Sequence, residues 1–152
     1  MSKRTEIALS EDETLGFVGG QRKLQLGTIN PDGTPHMVTM FYVVVDGKIA
    51  FWTYRSSQKA RNIARDPRVT CLIESGEEYF ELAGVLIYGR AEVLTEPNDV
   101  LYVGREVVRK MTGLEDEEAV TAFAEVTAAK RYAYLVEPGR VASWDHSKMA
   151  GQ

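Results

Sequence analysis

The stretch PHMVTMFYVVVDGKIAFWT, residues 35–53, holds two apolar runs separated by Asp46-Gly47. An Asp-Gly pair between apolar runs is the strongest short-range hairpin signal, because both turn positions need a left-handed backbone that these residues tolerate. The stretch therefore predicts paired strands over residues 35–45 and 48–53. Upstream, residues 23–29 form a third run, ending at the turn signal Asn30-Pro31-Asp32-Gly33. The three runs predict an antiparallel meander.

Working outward, residues 56–65 read as a short helix that Ser56 or Ser57 caps and Asp66-Pro67 stops. Residues 68–74 predict a fourth strand. Residues 79–94 predict a long β segment, with Gly84 and Gly89 as bends or bulges. Residues 99–111 and 117–130 alternate with helical period on either side of Thr112-Gly113. Residues 131–137 predict a last strand, and Pro138-Gly139 begins a tail. At the other end, Ser10 before Glu11-Asp12-Glu13 marks a helix start, and Gly19-Gly20 ends that helix. Residues 1–10 are expected to be loosely ordered. There is no repeat, low-complexity tract or linker, so residues 1–152 read as one domain. Many short strands with few helices give a mainly β barrel with helical decorations; the pattern alone does not select the barrel type.

Composition narrows the partners. A formal charge of −4 and a hydrophobic content of 44% describe an acidic globular chain, not a polyanion binder with a basic stripe. No nucleic-acid partner is expected. No apolar run approaches the ~18 residues of a membrane helix, and the acidic N-terminal segment does not read as a signal peptide. The lone Cys71 sits in an apolar run and reads as a buried core thiol. With no intrachain disulfide to form, a reducing, cytoplasmic setting is expected.

The usual catalytic signatures, HExxH, CxxC, the Walker loop, GxGxxG and GxSxG, are absent from the sequence. Two histidines and one cysteine cannot build a common structural zinc site unaided, so no metal is expected. His36 reads as a solvent-exposed strand-edge residue. Asp145-His146 is weak evidence for a catalytic pair, since adjacent residues rarely face each other. What remains is Thr53-Tyr54-Arg55-Ser56-Ser57-Gln58-Lys59-Ala60-Arg61, a strand running into a cationic helix start. A helix N-terminus with hydroxyls and a lysine suits an anion, phosphate above all. From spacing alone the stretch reads equally well as a solvated basic surface.

Three stretches resemble the pyridoxamine 5′-phosphate oxidase-like split β-barrels, including their flavin/deazaflavin oxidoreductase branch. They are Gly27-Thr28-Ile29-Asn30-Pro31-Asp32-Gly33-Thr34-Pro35-His36, the strand–helix step with Ser57-Gln58-Lys59 followed by Asp66-Pro67-Arg68-Val69, and Gly84-Val85-Leu86-Ile87-Tyr88-Gly89-Arg90-Ala91-Glu92-Val93. The ending Arg140 to Lys148 is similar to one common in actinobacterial members. The resemblance implies a six-stranded antiparallel split β-barrel and a homodimer with a flavin-like cofactor between its subunits. By motif position it assigns Ser57 and Lys59 to the cofactor phosphate, with Arg55 and Arg61 beside them. It sets Met37, Val38 and Thr39 along the tricyclic ring, Trp52 and Thr53 at its border, and Trp144 and Lys148 at the mouth of the cleft, from the same subunit or the other.

One departure from the family pattern bears on the cofactor. FMN-dependent oxidases of the family carry an arginine and a lysine on the second strand. Here that stretch reads Met37-Val38-Thr39-Met40-Phe41-Tyr42, with no cation. A dianionic FMN phosphate would forgo several charge-assisted hydrogen bonds, each worth about 1.5–3 kcal/mol. The determinants for pyridoxal phosphate are not evident either. The resemblance therefore implies coenzyme F-420, whose phosphodiester carries less charge, with FMN as the alternative. It implies an oxidoreductase acting on a small-molecule substrate, or else a non-catalytic protein that binds a flavin, deazaflavin or haem. No catalytic acid or base stands out; His36, Tyr42 and Tyr54 are the candidates for a proton donor.

Overall fold

The computed structural model describes residues 2–150. Its elements run α1 (Lys3–Glu6), α2 (Glu11–Gly20), β1 (Lys23–Ile29), β2 (Pro35–Phe41), β3 (Val43–Val45), β4 (Lys48–Tyr54), α3 (Gln58–Arg65), β5 (Arg68–Ser75), β6 (Ala83–Leu94), α4 (Pro97–Thr112), α5 (Glu117–Ala128) and β7 (Arg131–Asp145). Short 3₁₀ turns occupy Tyr79–Glu81 and His146–Met149.

Asp46 and Gly47 both have positive φ, 50° and 77°. That is the backbone of a two-residue hairpin, and it joins β3 to β4 as expected. The expected single strand over residues 35–45 is broken at Tyr42, whose buried phenol donates to the Val18 carbonyl of α2. The break lets the segment serve two edges. Its first half pairs with β1 and its second half with β4. The sheet order β2-β1-β5-β6-β7-β4-β3 thus begins and ends on one continuous piece of chain, and the sheet curls into a barrel. The strand count is seven where six were expected, and this break is the reason.

The inward faces of the strands fill the barrel with Leu24, Leu26, Phe51, Cys71, Ile73, Val85, Tyr134 and Val136, all buried. Phe51 and Tyr134 stack with ring centroids 5.2 Å apart. Burying such side chains stabilises by roughly 1.5–3 kcal/mol each. A second core lies outside the barrel. Ala50 and Trp52 of β4 and Ala133 of β7 meet Val100, Val103 and Val107 of α4 and Val120 and Ala124 of α5. Gly104 makes the close approach possible, since a Cβ there would stand 2.4 Å from the Trp52 indole.

One expectation is corrected toward the end of the chain. The expected tail from Pro138 instead continues β7 to Asp145, with residues 141–145 paired to residues 83–87 of β6. The proline is tolerated because the β6/β7 register shifts between Ile87 and Gly89, so its missing N–H falls at an irregularity. Within residues 2–10, where loose order was expected, residues 7–9 are bonded to the C-terminal end of the chain. The Asp145 amide donates to the Ile7 carbonyl at 2.7 Å, the Leu9 amide to Ser143 Oγ at 3.0 Å, and Lys148 Nζ to the Ala8 carbonyl at 3.0 Å. Ser10 and Glu13 form a reciprocal capping box at the start of α2.

Candidate anion and cofactor site

The end of β4 turns directly into α3. The turn is closed by the Ser57 amide donating to the Tyr54 carbonyl at 3.1 Å. Ser57 is the N-cap, its Oγ accepting from the Ala60 amide at 3.2 Å and standing 3.4 Å from Thr53 Oγ1. The amides of Gln58 and Lys59 precede the intrahelical ladder and point out of the helix start. Below this start Asn62, fully buried, donates through Nδ2 to Thr28 Oγ1 and Asn30 Oδ1, both at 3.0 Å. Arg65 donates to the Ile29 carbonyl and to Asn62 Oδ1. These bonds pin α3 to the end of β1.

Cations surround the helix start. Lys59 is half-buried, and burial, then the charge of Arg131, pushes its pKa down. The Arg55 guanidinium lies 4.6 Å from the Tyr132 ring centroid, and its Nε donates to the Arg131 carbonyl at 3.2 Å. Arg61 is exposed on the first turn. Among the described residues, the ion pairs are Lys48–Glu137, Arg68–Asp66, Arg109 with Glu106 and Glu117, and Lys148–Glu13. Lys59, Arg55, Arg61 and Arg131 take part in none of them. A group of unneutralised cations at a capped helix start is chemically fitted to phosphate oxygens.

Strand alternation divides the other expected residues. On β2, Met37 and Thr39 are exposed on the outer face, while Val38 packs against the barrel core. The three therefore share no single surface. Thr39 Oγ1 donates to Gln25 Oε1 at 2.9 Å. On β4, Thr53 faces Ser57, but Trp52 points the opposite way, under α4. Trp144 lies across the backbone of Gly84, its partner on β6. Lys148 is engaged by Ala8 and by Glu13 Oε1 at 2.9 Å. Trp144 and Lys148 sit at the far end of β7 from Arg131, so within one subunit they do not reach the start of α3.

An open cleft of about 690 Å³ runs along the outer face of the sheet, bordered by Gly27, Met37, Arg68, Tyr88, Arg90 and Pro138. It reaches Thr28 and Ile29, the residues to which α3 is pinned. His36 differs from expectation: it is half-buried and its Nδ1 has no partner among the described residues. His146 Nδ1 lies 2.8 Å from the Tyr79 carbonyl, and the Asp145 carboxylate takes Ser147 instead, so the two form no catalytic pair. No group of three or more potential metal ligands occurs among the described residues. No helix among them is long and apolar enough to cross a membrane.

The pyridoxamine 5′-phosphate oxidase family model matches residues 10–145, nearly the whole chain. The chain belongs to this family. The family binds flavin-type cofactors and includes oxidoreductases. No curated protein matches the chain. Among solved structures, the conserved hypothetical protein Rv2991 from Mycobacterium tuberculosis is 39% identical, with a TM-score of 0.92, over 100% of this chain and 94% of that one. An F420 reductase is 20% identical with a TM-score of 0.66, over 84% of this chain and 94% of that one. HutZ, the haem storage protein from Vibrio cholerae, is 15% identical with a TM-score of 0.68, over 89% of this chain and 96% of that one. The last two show the fold alone.

Strand β2 carries no lysine or arginine, whereas the start of α3 gathers several cations. The structure gathers Ser57, Lys59 and Arg55, which the sequence singled out, around the start of α3, and adds Arg131, which it did not. No local motif marks Arg131; the available signal was its β-pairing partner, which sequence does not print.

Proposed function

We propose that this family member is a homodimeric oxidoreductase that reduces a small unsaturated molecule with reduced coenzyme F-420. The observation that carries the reading is the placement of positive charge: a cation cluster at the start of α3 and none along β2. That distribution suits a phosphodiester better than a dianionic monoester, because fewer charge-assisted bonds are on offer along the second strand. When bound, F-420 supplies a hydride from its ring. The protein's share is to grip and orient. Ser57, Lys59 and Arg55 hold the phosphate end. The outward face of β2, through Met37, borders the ring in the open cleft. The far end of α3 is pinned to the rim of that cleft, so this eight-residue helix, about 12 Å long, links the two parts of the site.

Tyr42 donates no proton to the substrate, because its phenol is buried and bonded to Val18, and burial raises its pKa. Water in the cleft is the proton source. A second copy of the chain supplies the missing wall. Met37 and Tyr88 are exposed on the outer face beside the cleft, an apolar surface suited to an isologous interface.

Two measurements test the reading together. Reduced F-420 is mixed with the protein and a panel of enones and quinones, and its oxidation is followed by absorbance. Light scattering gives the mass. Turnover of at least one substrate by a species of twice the 17.0 kDa chain mass is expected. A monomer that oxidises no reduced F-420 would remove the proposal.

A further inference from the structure

Arg131 opens β7 directly across from Tyr54, the residue whose carbonyl closes the turn into α3. Its guanidinium carbon lies 4.4 Å from the Trp52 ring centroid and 4.0 Å from that of Tyr54. Nε donates to Thr127 Oγ1 at 2.9 Å, at the end of α5. Two aromatic faces and a hydroxyl hold the group in place without cancelling its charge, since a ring attracts a cation through its quadrupole and carries no net charge of its own. A guanidinium has five N–H donors in a planar fork, and only Nε is engaged by Thr127. The packing behind is tight. Gly104 of α4 sits against the indole so closely that a Cβ there would overlap it, so Trp52 cannot retreat.

We propose that Arg131 is a cofactor-binding residue of this site, which with Lys59 and the first amides of α3 takes the phosphate oxygens. The inference rests on the reading above that the ligand is a phosphate-bearing cofactor, and it names the residue that decides how that phosphate is gripped. The depressed pKa of Lys59 is in keeping with it: two partly buried cations close enough to repel each other, neither with a carboxylate, are relieved when an anion enters between them. Arginine suits the position better than lysine would, because a flat guanidinium lies between two rings and still presents a fork, whereas an ammonium does neither.

The test compares wild type, Arg131→Ala, Arg131→Lys and, as a control on α1, Arg4→Ala. F-420 and FMN affinities are read by ligand fluorescence, and inorganic pyrophosphate binding by calorimetry. Arg131→Ala is expected to weaken F-420 and pyrophosphate at least tenfold, Arg131→Lys to recover only part of that loss, and Arg4→Ala to stay within twofold of wild type. Arg131→Ala also loses its stacking, so its melting temperature is measured alongside. A lower melting temperature with unchanged affinity would make Arg131 a structural clamp and overturn the proposal. If wild type binds no F-420 but binds pyrophosphate, and Arg131→Ala does not, the cofactor reading fails while Arg131 stands as an anion contact. If wild type binds neither, or Arg131→Ala binds pyrophosphate as wild type does, the proposal for Arg131 falls.

Discussion

Replacing Gly104 by alanine should destabilise this protein, against the usual effect of that substitution inside a helix. Alanine is favoured over glycine in a helix interior by about 0.8–1 kcal/mol. At Gly104, however, the added Cβ would stand 2.4, 2.7 and 2.7 Å from three atoms of the Trp52 indole. Ordinary carbon contacts lie at about 3.5–4.0 Å, so more than an ångström must be found by moving α4 or the ring. The ring has little room, with Arg131 stacked on it and β4 carrying it. Overpacking of this kind costs about 1–3 kcal/mol. Taking the upper end and subtracting the helix gain leaves a net loss of about 2 kcal/mol. At about 2–4 °C per kcal/mol for a domain of this size, the melting temperature should fall by about 4–8 °C. Differential scanning calorimetry reads it directly. Gly16 in α2 is the matched control, with nothing within 4 Å of an added Cβ; Gly16→Ala should raise the melting temperature. A Gly104→Ala protein at least as stable as wild type would refute the close packing of α4 on Trp52, and with it the fixed position of Arg131.

Other outcomes follow from single contacts. Asn62→Ala leaves the buried Thr28 hydroxyl without its donor and frees α3 from Asn30, so a loss of about 1–3 kcal/mol is expected in denaturant unfolding; no loss would mean that α3 is positioned by other contacts. Burial pushes the Cys71 thiol up to about 12, so the native protein should resist a thiol reagent at neutral pH and react once unfolded; fast labelling of the native state would place Cys71 outside the core. The bonds from the Ser10 amide and from Lys148 hold the Glu13 carboxyl at about 2. Because its folded pKa lies below the unfolded one, the latch between α2 and the chain's C-terminal end is complete above the usual carboxylate range and is lost as pH falls from there through about 2. Carboxyl NMR shifts of Glu13 should titrate near 2; an ordinary midpoint would show that the latch is open.

Local chemistry was legible where one or two neighbouring residues decide the backbone. Asp46-Gly47 and the Ser10 cap stand where the sequence predicts them, and of the two serines offered at the start of α3 it is Ser57 that caps. The break at Tyr42 was not legible, since apolar residues continue on both sides and the cause is a bond to Val18 in a distant helix. Nor was the continuation of β7 through Pro138, which depends on an irregularity in the facing strand. At the site, consecutive residues were expected to line one surface, yet a strand sends neighbours to opposite faces. That separates Val38 from Met37 and Thr39, and Trp52 from Thr53. Arg131 was hidden for the opposite reason: its surroundings come from β4, α3 and α5, and only the β4/β7 register brings them together.

A phosphate grip at the start of α3 that suits a deazaflavin is tested most directly by titrating the purified protein with F-420 and with FMN under one set of conditions. One F-420 per subunit should bind, at least tenfold more tightly than FMN, and Lys59→Ala should weaken that binding by roughly ten- to a hundredfold, the counterpart of about 1.5–3 kcal/mol for a charged contact. Protein that purifies yellow with stoichiometric FMN, or F-420 affinity that Lys59→Ala leaves unchanged, would contradict it.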